Sequence, residues 1–188
     1  MNTSIPASTD QPGSAYFMDH AEEAAHRATF AVVVDNEPGV LHRVVGLFAA
    51  RGYNIESLTV AETDESAHAS RITIVTSGTP EVIEQIEAQL RRLVPTHKVT
   101  NWTSQKAGIE REMALIKVSG SGDKRVEALR MADAFRARPV DTTHASFVFE
   151  ITGAPSKIDS FVELMRPLGL VEVSRTGVAA ISRGPEAM

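Results

Sequence analysis

Apolar residues fill most of the run from Ala28 to Val34, and its β-branched character predicts a buried strand. Val40, Leu41, Val44, Val45 and Phe48 then recur at helical spacing, which predicts a helix beginning near Pro38 and ended by Gly52. Tyr53 to Ala61 and Ser70 to Ser77 read as two strands of a hairpin, with the polar segment Glu62 to His68 turning between them. Thr79-Pro80 supplies a cap and a first helical residue, and Val82, Ile83, Ile86, Leu90 and Leu93 mark one face of a second helix. A further strand is expected near His97 to Thr103.

After the polar stretch Ser104 to Arg111 the same order starts again. Met113 to Ser119 reads as a strand, and a helix follows from about Asp123 to Arg136 with Val126, Leu129 and Phe135 as its apolar positions. Strands are expected near Val140 to Thr143 and Ser146 to Thr152. Pro155 then opens a helix with Ile158, Phe161, Val162 and Met165 on one face, and Val171 to Ile181 supplies the closing strand or strands. The repeat is one of architecture, not of sequence. It predicts an α+β chain of two ferredoxin-like βαββαβ modules, each an antiparallel sheet with its helices on one face. The expected boundaries are a first module over 27–103, a linker over 104–111, a second module over 112–184 and a short tail over 185–188. Residues 1–26 are polar, carry Pro6, Pro12 and Gly13, and are expected to be largely disordered, although Ala21, Ala24 and Ala25 would suit a short helix near Met18 to Arg27.

Composition narrows the function classes. A chain of 188 residues with 43% hydrophobic and 23% charged content is globular in character, and its formal net charge of -5 argues against a nucleic-acid or anionic-membrane partner. Arg91-Arg92 is a locally basic pair, and it suits the last turn of a helix, where cations complement the dipole. Cysteine is absent, so neither a disulfide framework nor a thiolate metal site is available. The first Lys or Arg is Arg27, unlike the positive start of a secretory signal, and no apolar run is long enough to cross a bilayer. A cytoplasmic location is expected.

The candidate chemistry lies in the turn Asp35-Asn36-Glu37-Pro38-Gly39-Val40-Leu41, which leaves a strand and enters a helix. The free N–H groups of the first helical turn and the positive dipole end suit a small anion. An Asn36 side-chain amide offers both a donor and an acceptor, as a zwitterion requires. The same residues are also ordinary turn chemistry in any protein. The six histidines form no metal-binding pair with matched acidic partners, and Glu81, Glu84 and Glu87 fall on a solvated helix face. Gly120-Ser121-Gly122-Asp123 follows a strand and opens a helix, but Arg125 stands where a dinucleotide fingerprint needs its third glycine, so a capping turn is expected. No motif for catalysis appears, and the chain reads as non-catalytic.

The turn, together with Arg51-Gly52-Tyr53-Asn54-Ile55-Glu56-Ser57-Leu58-Thr59-Val60, resembles the first half of an ACT domain, the amino-acid-sensing module of biosynthetic enzymes. It looks most like the small regulatory subunits of acetohydroxyacid synthase, also called acetolactate synthase. Similarity continues through Glu84 to Leu90, Glu110 to Lys117, Val171 to Gly177 and Ser182 to Gly184. The resemblance implies an ACT domain over the first module and a homodimer formed by two such domains side by side. It implies a partner, the catalytic large subunit, which holds thiamine diphosphate, Mg and FAD; none of these is expected on this chain, which raises the partner's activity and confers feedback inhibition by valine. Valine would lie at the dimer seam, its carboxylate on the N–H groups around Gly39 to Leu41, with Asn36, and Asn54 from across the seam, as polar partners and with Val40, Leu41 and Ile55 as an apolar wall. An ACT-type sensor of another enzyme, a ligand-free interaction module and an enzyme of unrecognised type are the remaining alternatives. The second module lacks an Asn-x-Pro-Gly turn and is expected to serve docking or packing.

Overall fold

The computed structural model describes residues 25–64, 68–105 and 108–185; of the expected leader and of the short helix read near Met18 to Arg27, residues 1–24 lie outside these, while His26 and Arg27 are strand, not helix. In the first module β1 (His26–Asp35) leads into α1 (Val40–Arg51), the hairpin β2 (Ser57–Asp64) and β3 (Ala69–Gly78), α2 (Pro80–Arg92) and β4 (Thr96–Asn101). The antiparallel sheet has the order β2-β3-β1-β4. Alternate residues of β1, namely Ala28, Phe30, Val32 and Val34, meet Val44, Phe48, Ile83, Ile86 and Leu90 of the two helices in one core. The residues between them, Thr29 and Ala31, are buried as well, because the second module covers the other face of the sheet. Burial of both faces explains why the run does not alternate with polar residues.

α1 ends where Gly52 adopts φ 69, with its N–H donating to Ala49 O and the Tyr53 N–H donating to Phe48 O. This pair of bonds is a Schellman motif, and the accompanying apolar contact is the edge-on packing of Tyr53 against Phe48 at 6.0 Å between ring centroids. β4 stops at Asn101, two residues earlier than the pattern predicts, and the chain turns through the short α3 (Trp102–Gln105). Trp102 there is buried with Ala31 and Ala180, a contact between the modules.

The second module comprises β5 (Gly108–Ser119), α4 (Asp123–Ala134), β6 (Arg138–Thr142), β7 (Ser146–Gly153), α5 (Pro155–Gly169), β8 (Leu170–Arg175) and β9 (Ala179–Ser182). Its sheet has the order β6-β7-β5-β8, and β9 pairs the N-terminal part of β5. β5 starts five residues before the predicted Met113, because residues Gly108 to Arg111 find partners in β9. Ile158, Phe161, Val162 and Met165 of α5 are all buried, as their spacing predicts. On α4 the outcome differs: Val126 and Leu129 are exposed and Ala128 and Ala132 are the buried positions. α4 packs against α5, and small side chains permit that approach. Phe135 lies against Phe161 with ring centroids 5.3 Å apart. Arg136 repeats the role of Gly52, with φ 56, its N–H on Asp133 O and the Ala137 N–H on Ala132 O.

Candidate functional site

Glu37-Pro38-Gly39-Val40 forms a type II turn. The Val40 N–H donates to Glu37 O at 3.3 Å, Pro38 fixes the second position, and Gly39 takes φ 90 and ψ -10 at the third. α1 therefore begins at Val40 and not at Pro38. A Cβ on Gly39 would meet nothing within 4 Å, so the backbone angle, not crowding within the chain, is what calls for glycine there. The Arg43 N–H is the first to reach back four residues, to Gly39 O at 3.0 Å. Among the described residues no backbone carbonyl accepts from Leu41 or His42, and no side chain caps the helix. Two N–H donors thus remain at the helix start, beside the exposed Asn36, whose own N–H is fixed to His68 O at 2.6 Å.

The six residues singled out in the sequence do not converge within one chain. Asn36, Gly39 and Leu41 are exposed around the start of α1, whereas Val40 is 6% exposed and belongs to the core. Asn54 is exposed and Ile55 is half-buried against the core beyond the other end of α1, with Asn54 O accepting from Thr76 Oγ1 at 2.6 Å. Twelve helical residues put roughly 18 Å between the two groups. β2, however, is the edge of its sheet, with β3 on one side only. A second copy paired antiparallel to that edge would set the start of one β2 against the end of the other. Asn54 and Ile55 of the copy would then approach Asn36 to Leu41.

A cavity of ≈ 540 Å³ lies elsewhere, between the modules, and contains none of those six residues. Glu112, Asp159, Arg175, Arg27 and Glu56 line it. Glu112 is buried and accepts two bonds from Arg175, at 2.8 Å from Nε and 2.5 Å from Nη2; Arg175 Nη1 reaches Asp159 at 2.6 Å. The Glu112 carboxylate above all holds the Arg175 guanidinium well above its ordinary pKa, against the opposing effect of burial and with help from Asp159. Arg27 spans the modules, 3.4 Å from Glu56 and 3.3 Å from Glu110. A signal for this cluster exists in the sequence. Glu112 is in phase with Ala114, Ile116 and Val118 on the buried face of β5, and a carboxylate at such a position demands a cation. Gly122 caps α4 as expected, and Arg125 lies 3.8 Å over the Phe147 ring, so that turn is structural. Among the described residues no group of three or more His, Asp or Glu side chains is placed to hold a metal ion.

Residues 30–98 match the family described as AHAS small subunit-like ACT domain, and residues 111–184 match that described as small subunit of acetolactate synthase. The chain is 47% identical over 156 residues to a probable acetolactate synthase small subunit of Archaeoglobus fulgidus, covering 83% of this chain and 96% of the relative. It is 44% identical over 163 residues to the acetolactate synthase isozyme 3 small subunit of Escherichia coli, covering 86% and 99%. The crystal structure of the acetolactate synthase small subunit from Thermotoga maritima superimposes with a TM-score of 0.74 at 38% identity, covering 86% of this chain and 99% of that one. Two modules of matching fold, each matched by its own family and spanned together by full-length relatives, lead to one conclusion: this chain belongs to the acetolactate synthase small-subunit family, and its N-terminal module is an ACT domain.

Proposed function

We propose that this chain is the non-catalytic regulatory subunit that activates the acetolactate synthase catalytic subunit and confers feedback inhibition by valine on branched-chain amino-acid synthesis. Residues 27–103 form the sensor and residues 112–184 the docking and packing module. Thiamine diphosphate, Mg and FAD belong to the partner, and the setting is the cytoplasm. The observation that carries the sensor reading is the α1 start, where two unclaimed N–H groups and the Asn36 amide surround a left-handed glycine at a surface left open in the single chain.

Two chains paired through β2 would complete the site, with Asn54 and Ile55 from one facing Asn36, Gly39 and Leu41 of the other. Val40 supports the wall from the core side. A buried valine side chain contributes about 1.5 to 3 kcal/mol, and each charge-assisted hydrogen bond about as much again. One side chain with two or three such bonds reaches the roughly 8 kcal/mol of a micromolar complex when the site is preformed. Valine must bind two arrangements of the subunit with different affinity, since equal affinity shifts neither.

The test is inhibition of the reconstituted synthase by Asn36→Ala and Gly39→Asp variants that still form the complex. Both are expected to lose valine inhibition, Gly39→Asp by placing a carboxylate beside the ligand's own. Inhibition retained in both would remove the site assignment.

A further inference from the structure

The closing strand of the second module is broken by a bulge whose backbone is satisfied by the first module. Arg175 pairs with Ala114 and Ala179 pairs with Arg111, so two residues of β5 (112 and 113) face three of the partner strand (176–178). Such a bulge leaves its extra residue without ladder bonds. Thr176 folds back onto Met113, donating from its N–H to Met113 O at 3.0 Å and accepting the Met113 N–H on Oγ1 at 3.2 Å. Val178 turns the other way. Its N–H donates to Ser57 Oγ at 3.0 Å, and its carbonyl accepts from Thr59 Oγ1 at 3.0 Å. Val178 is 2% exposed, so these two bonds replace ones that water cannot supply. Between them Gly177, at φ +85, lies so close to β2 that a Cβ would come 2.6 Å from Ser57 Oγ and 2.9 Å from Thr59 Cγ2.

Ser57 and Thr59 are the first and third residues of β2, with only Glu56 between Ser57 and the pair Asn54 and Ile55. Arg71 on the neighbouring strand extends the contact, reaching Ala180 O at 3.4 Å. A shift at the start of β2 therefore cannot leave the 176–178 bulge unchanged without stranding two buried backbone groups. We propose that Ser57 and Thr59 are positioning residues that couple the effector seam to the second module, through the backbone of Val178. This inference rests on the reading of the seam as the effector site and adds the route by which occupancy reaches the second module.

The experiment uses the full chain with its catalytic subunit. The double variant Ser57→Ala/Thr59→Val keeps the packing and removes both bonds, while Ser57→Thr and Thr59→Ser keep the hydroxyls. Valine affinity is read by calorimetry on the small subunit, and inhibition by acetolactate formation. The double variant is expected to bind valine within about threefold of the wild type, to keep activating, and to lose at least about threefold in the ratio of valine-free to valine-saturated activity. The hydroxyl-retaining variants are expected to keep that ratio. Thr59→Val alone, which leaves the Ser57 bond and tests the idea if the double variant fails to fold, is expected to lie between. A ratio unchanged in the variants at unchanged affinity would overturn the coupling role alone. A wild type that neither binds valine nor responds to it would overturn the effector reading, and this inference with it.

Discussion

At the residue scale, three positions carry more than their surroundings disclose. Arg136 holds a left-handed conformation that L side chains resist, and its N–H already makes the bond a glycine would make. Arg136→Gly is expected to raise stability by about 1 kcal/mol, read as a higher urea midpoint at unchanged slope. Arg175 neutralises the buried Glu112. Arg175→Met strands that carboxylate and is expected to cost about 3 kcal/mol, the low end for a broken buried pair, because the arginine itself is open to solvent on one side. At the opposite extreme stands the exposed pair Lys117–Glu172, 2.7 Å apart. The Lys117 hydrogen bond, then its charge, holds the Glu172 carboxyl below its ordinary 4.5. A lowered folded value means stability that is present above pH 4.5 and lost as the pH falls through the lower folded value. Glu172→Gln is therefore expected to differ from the wild type by a small amount at neutral pH and to converge with it in acid, as denaturation midpoints would record.

At the scale of elements, strands and helices with one unmistakable pattern were legible. α5 buries the four residues its spacing selects, and α2 opens at Pro80 with Thr79 at the cap position, although the Thr79 side chain makes no capping bond. α4 was legible as a helix but not in its facing. Its large residues Val126 and Leu129 face outward, because the core on that side is built from alanines that admit α5. A period argument weights residues by hydrophobicity, whereas close helix contact selects for small size. Leu129→Ala is accordingly expected to cost less than 1 kcal/mol, by the ordinary range for exposed positions, while Ala128→Leu should cost about 1 to 3 kcal/mol through overpacking; thermal unfolding of both variants checks the ranking. β9 falls at the end of the run read as the closing strand or strands, but the bulge before it was beyond reach because its partners, Ser57 and Thr59, lie about 120 residues away, and no local pattern encodes a contact of that separation. The turn from Glu37 to Val40 was legible as a turn because its geometry is local: Pro38 and Gly39 specify a type II turn by themselves.

At the scale of the whole molecule, the first module is shielded by the second on one sheet face and open at the β2 edge. Small modules of this size gain from such partners, since each alone buries only about 60% of its unfolded surface. The arrangement divides labour between an edge available to a second copy and a second module whose closing strand is locked to that same edge strand. On the proposed reading, the function of this subunit shows in the rate of another chain. The most direct measurement is acetolactate formation by the same organism's purified catalytic subunit, alone and with this chain, across a valine titration. Activation by this chain, reversed as valine rises, is the predicted result. A competent catalytic subunit whose rate this chain leaves unchanged at every valine concentration would contradict the account.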